Sequence, residues 1–313
     1  MKATMGMNYR LLSTNLETMS NKLFELRQQA ATGKKLNRPS DDPSAIRPVL
    51  NYRMQSASTE RYLKHLSSAS GEMNILDSQL GNVENIMVSA KETTAAAMNG
   101  AANESDLQTY ADRISQLHDE LLYTANTQTD GKYMFSGYEE FTRPFEENPD
   151  YDPEAYDAED SDTWPVQYTG GENTKTVEVE PGKHIDKQVS GEALFLGDTE
   201  DGLGIDLFKV LRDTEHAMRN RDVGNMEQGL EELETGAEQV RRIRGRMGNN
   251  AWRIDRAELY LSDASIEFKS MISSYEDADL LEVFSDLVQQ ETAFEAALNV
   301  TTRVSRLSIL DFM

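Results

Sequence analysis

The chain has no cysteine among its 313 residues. Disulfides, thiol nucleophiles and cysteine-ligated metals are therefore excluded. No stretch approaches the roughly 18 consecutive apolar residues of a membrane-spanning helix. Residues 1–10 lack the apolar run of a cleavable secretory signal. If the protein leaves the cell, we expect it to use another route.

Apolar residues are also scarce, at 38% with a mean hydropathy of −0.62, which is low for a compact enzyme of this length. The formal net charge is −24, which argues against nucleic acid and anionic membrane surfaces as partners, because their phosphates would repel the chain. Part of this charge is local, because residues 139–162, the acidic segment, hold eleven Asp or Glu and one Arg. We expect its second half, from Asp150 to Asp162, to be a solvated loop.

Residues that could carry chemistry show no useful arrangement. The histidines do not have the spacing of metal ligands or of an acid–base pair; they are His65, His118, His184 and His216. The acidic segment lacks the glycine and the terminal glutamate of a calcium-binding loop. We expect no catalytic residue, no cofactor and no metal, and the chain is not predicted to be an enzyme.

One strongly basic cluster lies in the interior of the sequence and comprises Arg241, Arg242, Arg244 and Arg246. Nucleic-acid-binding segments often have aromatic residues between their basic residues, and this cluster has none. We expect these arginines to pair with acidic faces of this chain or of a neighbouring copy.

Both ends of the chain carry apolar residues at alternating spacings of three and four, the pattern of a coiled coil. We call these residues the predicted seam. Its N-terminal part is Met5, Tyr9, Leu12, Leu16, Met19, Leu23 and Leu26. Its C-terminal part is Leu280, Val283, Leu287, Phe294, Leu298 and Val304. The alternative is two amphipathic helices that lie on a common core.

The two ends differ in the sign of their charge. Residues 1–35 hold six Lys or Arg and two Glu, whereas residues 279–313 hold six Asp or Glu and two Arg. The ends are therefore predicted to pair with each other or with neighbouring copies. Because isolated helices are marginal in water, we expect the ends to become ordered on docking.

The intervening sequence predicts a mainly α fold: a long antiparallel helical bundle with coiled-coil terminal helices and a small β-rich inserted domain. Pro48 is expected to delay the second helix until about Val49. The alternation at residues 176–180 before Pro181 and Gly182 predicts a strand and a turn. We also expect residues from about 140 to 200 to be replaceable by a short linker. The predicted segments are an N-terminal arm with a capping linker (1–48), a first bundle part (49–135), a β-rich insertion (136–205), a second bundle part (206–276) and a C-terminal arm (277–313).

Four stretches together resemble the flagellin superfamily. They are Thr32–Lys34 with Asn37–Pro43, Asp130–Gly137 with Pro144 and Phe145, Asp277–Asp279, and Val304–Met313. The aromatic ending at Phe312 and the Tyr-Met-Phe-Ser-Gly run at 133–137 favour the proteins of the hook–filament junction over the filament flagellins.

This resemblance implies a structural subunit of the bacterial flagellum that forms the junction between hook and filament by coiled-coil assembly of its terminal helices. It also implies secretion through the flagellar type III channel and an extracellular location. The implied partners are the first hook–filament junction protein, flagellin, copies of the chain in a ring, and a flagellar export chaperone. The alternative is a filament flagellin that polymerises into the filament itself.

Overall fold

The computed structural model describes residues 2–99, 102–149, 151, 155–156, 163–171, 173–197 and 204–310. Helices make up 72% of it, and the sheets are few, small and antiparallel, so the mainly α fold predicted from the sequence is confirmed. The described helices are α1 (Lys2–Thr32), α2 (Pro43–Ala97), α3 (Glu104–Ala125), α4 (Gly191–Phe195), α5 (Leu207–Asn220), α6 (Val223–Glu276) and α7 (Leu280–Leu310). The described strands are β1 (Gln128–Thr129), β2 (Lys132–Tyr133), β3 (Phe145–Glu147), β4 (Val166–Tyr168), β5 (Thr176–Glu180) and β6 (Lys183–Asp186).

The chain divides into two compact units. Unit 1 consists of residues 1–60 and 262–313, and unit 2 consists of residues 61–261. Unit 1 therefore joins the two ends of the sequence, while unit 2 contains the middle.

Unit 2 is built on α2 and α6, which run antiparallel. Arg244 donates two hydrogen bonds to the Asp77 carboxylate, at 2.8 and 3.0 Å. Further along α2, Lys91 pairs with Glu234 of α6. Residue numbers at the contacts fall along α6 as they rise along α2, so the two helices are antiparallel. The facing apolar side chains, such as Leu80, are completely buried.

The arginine cluster on α6 pairs with acids of the same unit. Arg241 contacts Glu234 at 2.8 Å, and Arg244 also reaches Glu84 at 3.1 Å. The expectation that these arginines pair with acidic faces is confirmed for these two members, while the other two members of the cluster are exposed.

Close approach of helices in unit 2 depends on two glycines of α6. A Cβ on Gly236 would lie 2.7 Å from the Leu207 side chain and 2.8 Å from that of Met87, and one on Gly229 would lie 2.6 Å from the Thr214 hydroxyl. At these distances the facing ends of the Leu207, Met87 and Thr214 side chains would have to move. The missing side chains therefore let α6 meet α5 and α2.

The β part consists of three two-stranded antiparallel sheets, β1–β2, β3–β4 and β5–β6. In β5, Val177 and Val179 are buried while their neighbours are not, and the strand turns back through Gly182 at a φ of 77°. The predicted strand and turn are confirmed.

A cluster of buried phenylalanines joins this β part to the helices. The Phe195 ring lies 5.0 Å from that of Phe145, 5.2 Å from that of Phe135 and 5.7 Å from that of Phe208 in α5, measured between ring centres. All four rings are fully buried. The insertion therefore shares its core with α5, and this packing contradicts the expectation that residues from about 140 to 200 can be removed.

Two buried polar groups flank Phe208. His118 of α3 is fully buried, and among the described residues neither ring nitrogen has a hydrogen-bond partner. Burial, with a smaller contribution from Arg212, lowers the pKa of His118 to about 4. Asp206 caps α5 by accepting hydrogen bonds from the backbone N–H of Phe208 and Lys209, and its burial raises its pKa to about 7.

In unit 1, α2 begins at Pro43 rather than near Val49. The Asp42 carboxylate accepts hydrogen bonds from the backbone N–H groups of Ser44, at 2.9 Å, and Ala45, at 3.2 Å. This cap starts the helix, and Pro48 is accommodated within it. The expectation that Pro48 delays the helix was therefore wrong.

We predict that Phe195→Ala destabilises unit 2 by about 3 to 5 kcal/mol, because it leaves a cavity among three other rings. Chemical denaturation would measure the change. Phe141→Ala is the matched control, since Phe141 is 79% exposed and its loss should cost less than about 0.5 kcal/mol. Equal stability of the two variants would show that the phenylalanine cluster does not bind the β part to the helices.

We also predict opposed effects of pH from His118 and Asp206. Between about pH 4 and 6.5 the unfolded chain protonates His118 and the folded chain does not, so this residue makes stability rise with pH. Between about pH 4 and 7 the folded chain keeps a proton on Asp206 that the unfolded chain has lost, so this residue makes stability fall with rising pH.

The two contributions are separable by substitution. His118→Leu should make the free energy of unfolding fall more steeply as pH rises from 4.5 to 6.5. Asp206→Asn should make it rise more steeply, because only the histidine contribution remains. Urea denaturation across this range measures both slopes. Parallel curves for the two variants and the parent chain would contradict the assignment.

Candidate assembly surface

The terminal helices α1 and α7 pack against each other in unit 1. Leu23 and Leu26 of α1 and Val283 of α7 are buried, with 6%, 4% and 7% of their surface exposed. Arg27 forms an ion pair of 2.8 Å with Glu291 across the two helices. The amphipathic stripes predicted at the two ends therefore meet within one chain.

The other residues of the predicted seam are less buried. Side chains that are half-buried belong to Leu12, Leu16, Met19, Leu287 and Phe294. Leu280 and Leu298 are 44% and 43% exposed. The side chains of Met5, Tyr9 and Val304 lie outside the described residues. That these residues also form a seam between copies stays a prediction.

A second apolar face on α7 was missed by the pattern search. It comprises Leu281, Phe284 and Val288, which are 85%, 50% and 64% exposed. We call it the outer face. At about 100° per residue these three lie within about 60° of one another around the helix and about 100° or more from Val283. Their own spacing of three and four residues would have revealed them, had a second stripe been sought.

The direction in which α1 meets α7 is set by a turn at Gly33. This residue has a φ of 71°, a conformation that favours glycine, and it ends α1. Its carbonyl accepts a hydrogen bond of 2.9 Å from the Ala278 N–H, immediately before α7. Lys35 N–H donates at 2.7 Å to the Glu276 carbonyl. The end of α1 is thus fixed to the end of α6 and the start of α7, so that α1 and α7 are antiparallel.

A buried carboxylate holds this turn. The Glu276 side chain is 4% exposed and contacts the Lys34 ammonium at 2.8 Å and the Arg53 guanidinium at 2.5 Å. We call these three residues the Glu276 cluster. Because a buried charge is costly unless it is paired, the cluster requires α1, α2 and α6 to come together at this point.

The turn that follows is built by two aspartates. Asp41 accepts hydrogen bonds from the backbone N–H of Asn37, at 3.0 Å, and of Arg38, at 2.7 Å. Asp42 caps α2, and the hydrogen bonds from Ser44 and Ala45 hold the pKa of its carboxyl below the usual range. The Asn-Arg-Pro-Ser-Asp-Asp-Pro stretch is thus a structured connection between α1 and α2.

The described residues offer little chemistry. Among them, no group of three or more His, Asp or Glu is arranged to hold a metal ion. A groove of about 210 Å³ beside β1 and β2 contains charged groups, but Glu140 pairs there with both Lys132 and Lys175. Within the part of the chain that the structure describes, no helix is long and apolar enough to cross a membrane.

We predict that Glu276→Gln loosens the join between the terminal helices, because Lys34 and Arg53 lose their shared carboxylate. The cost should be about 1.5 to 3 kcal/mol, the range for hydrogen bonds to charged groups. Limited proteolysis should cut within residues 1–35 faster than in the parent chain. Glu267→Gln, at an exposed position of the same helix, is the control and should leave the cleavage rate unchanged. If both variants are cut at the parental rate, the Glu276 cluster does not secure α1.

Comparison with known proteins gives a consistent result. Residues 5–140 match the model of the bacterial flagellin N-terminal helical region. Flagellar hook-associated protein 3 of Salmonella typhimurium is 23% identical over 328 aligned positions, covering 99% of this chain and 98% of that protein. The protein of the same name from Escherichia coli is 24% identical over 90% of each chain.

Solved structures share the fold. The crystal structure of Bacillus cereus FlgL has a TM-score of 0.56 at 21% identity and covers 70% of this chain and 97% of its own. The flagellar junction protein FlgL of Legionella pneumophila has a TM-score of 0.60 at 13% identity, covering 74% of this chain and all of its own. The curated relatives are structural proteins of the bacterial flagellum, an extracellular organelle, and they support a structural rather than an enzymatic role. The chain therefore resembles the flagellin superfamily and, along nearly its whole length, flagellar hook-associated protein 3.

Proposed function

We propose that the chain is a structural subunit of the junction between hook and filament, and that its terminal helices make the contacts of assembly. The observation that carries this proposal is the outer face of α7. Leu281, Phe284 and Val288 are apolar, adjacent and exposed in a unit that already buries the opposite side of the same helix. Exposed apolar groups of this kind mark surfaces that bind other proteins.

Magnitudes indicate which interactions drive assembly. Burying one Leu or Phe side chain contributes about 1.5 to 3 kcal/mol, whereas an exposed ion pair contributes about 0 to 1 kcal/mol. The apolar faces therefore supply most of the free energy. The basic residues near α1 and the acidic residues near α7 select the partner, in a manner that weakens with added salt.

The names of the relatives support the proposed place in the flagellum. This chain aligns with 98% of the length of the Salmonella typhimurium flagellar hook-associated protein 3. The Legionella pneumophila structure is described as a junction protein. We infer partners accordingly: the first hook–filament junction protein on one side, flagellin on the other, and copies of the chain in a ring. We also infer secretion through the flagellar type III channel with a dedicated chaperone.

The proposal assigns a role to each predicted segment. Residues 1–48 and 277–313 are the assembly arms, residues 49–135 and 206–276 form the bundle, and residues 136–205 form the β-rich insertion. A filament flagellin is the alternative. It is less well supported, because the flagellin model matches residues 5–140 whereas hook-associated protein 3 matches the chain nearly end to end.

The test is incorporation at the tip of purified hooks that carry the first junction protein. The double variant Leu281→Asp with Phe284→Asp should lose incorporation by more than about tenfold, since two apolar contacts are removed, while its melting temperature stays near that of the parent chain. Tyr123→Asp is the control, because Tyr123 is 80% exposed and lies in unit 2. It should incorporate normally.

Leu23→Asp separates the two faces. Leu23 is buried between α1 and α7, so its replacement should lower both melting temperature and incorporation. Normal incorporation of the outer-face variant would contradict the proposed assembly surface. If the parent chain extends filament seeds in the absence of hooks, the chain assembles in the filament and the junction proposal is wrong.

A further inference from the structure

An aromatic and basic patch lies on the second half of α6, within unit 2. It consists of Trp252, Arg253, Arg256 and Tyr260. Trp252 is 58% exposed and Tyr260 is 67% exposed, and the Arg256 guanidinium lies 4.8 Å from the centre of the Trp252 ring. Trp, Tyr and Arg are the residue types that most often dominate protein–protein contacts. We call these four residues the aromatic–arginine patch.

The patch forms one wall of a groove of about 390 Å³, and the β5–β6 hairpin forms the other. Val179 and Ile185 give the groove apolar lining, and Lys183 lies at the turn of the hairpin. Asn250 of α6 donates a hydrogen bond of 3.1 Å to the Asp186 carbonyl, which fixes the hairpin to the helix. The groove is therefore formed within unit 2 and does not belong to the terminal helices.

The groove is positively charged in a chain whose net charge is −24. In the described part of the chain, no carboxylate lies within ion-pair distance of Arg253 or Arg256. Lys183 is paired with Glu180 at 2.6 Å, so the two arginines supply the net charge. Two arginines beside an exposed indole favour a partner that is acidic and contains aromatic or apolar residues.

We propose that this groove binds the acidic segment, residues 139–162, of a neighbouring copy of the chain. The segment carries eleven Asp or Glu against one Arg, and seven of these acids, with no Lys or Arg among them, lie in residues 150–162. In its own copy the segment is attached to α5. Tyr151 donates a hydrogen bond of 2.9 Å to Asp213, and the Lys209 ammonium lies 4.6 Å from the centre of the Tyr156 ring.

The geometry of such a contact has a consequence for assembly. The groove lies on α6 and the β5–β6 hairpin, while the acidic segment is attached to α5, so two different surfaces meet. Contacts between unlike surfaces propagate from copy to copy and produce rings or helical arrays rather than closed dimers. The inference deepens the proposed function and rests on it, because it names the lateral contact between copies in the junction.

Binding is measurable without assembly. A synthetic peptide of residues 139–162 is titrated against the full-length chain at low and at physiological salt. We expect saturable binding that weakens with salt, and a loss of about tenfold or more on Trp252→Ala or on Arg253→Glu with Arg256→Glu. The matched control is Arg242→Glu with Arg246→Glu, which makes the same change of charge at exposed positions of the same helix. It should alter the affinity less than about twofold.

Two outcomes would overturn the inference: absence of saturable peptide binding, or an equal loss of affinity in the control, which would indicate unspecific attraction of charges. Incorporation into hook structures separates this inference from the proposed function. If the parent chain incorporates and Trp252→Ala incorporates equally well, the lateral contact is wrong and the junction stands. If the parent chain itself does not incorporate, the proposed function is wrong, whatever the peptide shows.

Discussion

A buried carboxylate must be paired, and unit 1 depends on how Glu276 meets this requirement. Its two cations come from the segment after α1 and from α2, while Glu276 itself ends α6. Because the charge is almost completely withdrawn from water, the three chain segments must converge there. The Gly33 turn then directs α1 back along α7. The position of the terminal helices in unit 1 thus depends on this ion cluster and on the Gly33 turn as well as on the helices' own packing, which buries few residues.

The sequence predicts the terminal helices because the spacing of apolar residues in an amphipathic helix indicates its buried side. The spacing of Leu23, Leu26 and Val283 predicts the face that is buried between α1 and α7. The α2 start was predicted too late because Pro48 was expected to prevent helix before it. The Asp42 cap starts the helix at Pro43, because its carboxylate accepts hydrogen bonds from two backbone N–H groups.

What the sequence could not predict depends on contacts between distant residues. The buried rings come from two distant parts of the chain, Phe135 and Phe145 in one and Phe195 and Phe208 in the other, and no local pattern predicts that they meet. The outer face of α7 could have been found from its spacing, but a search for a single stripe assigns each helix one buried side. The aromatic–arginine patch appears only when the exposure of Trp252 is known. The Glu276 cluster likewise joins residues more than 200 positions apart, and none of the three is unusual by itself.

The glycines that let α6 approach its neighbours also affect how that helix forms. Five glycines lie within it, Gly224, Gly229, Gly236, Gly245 and Gly248. Each costs about 0.8 to 1 kcal/mol relative to alanine, so together they weaken the isolated helix by about 4 to 5 kcal/mol. A 54-residue helix of this composition is stable only when its neighbours are already packed. In the proposed export through the flagellar channel, α6 would therefore present little helical structure to unwind before the chain folds.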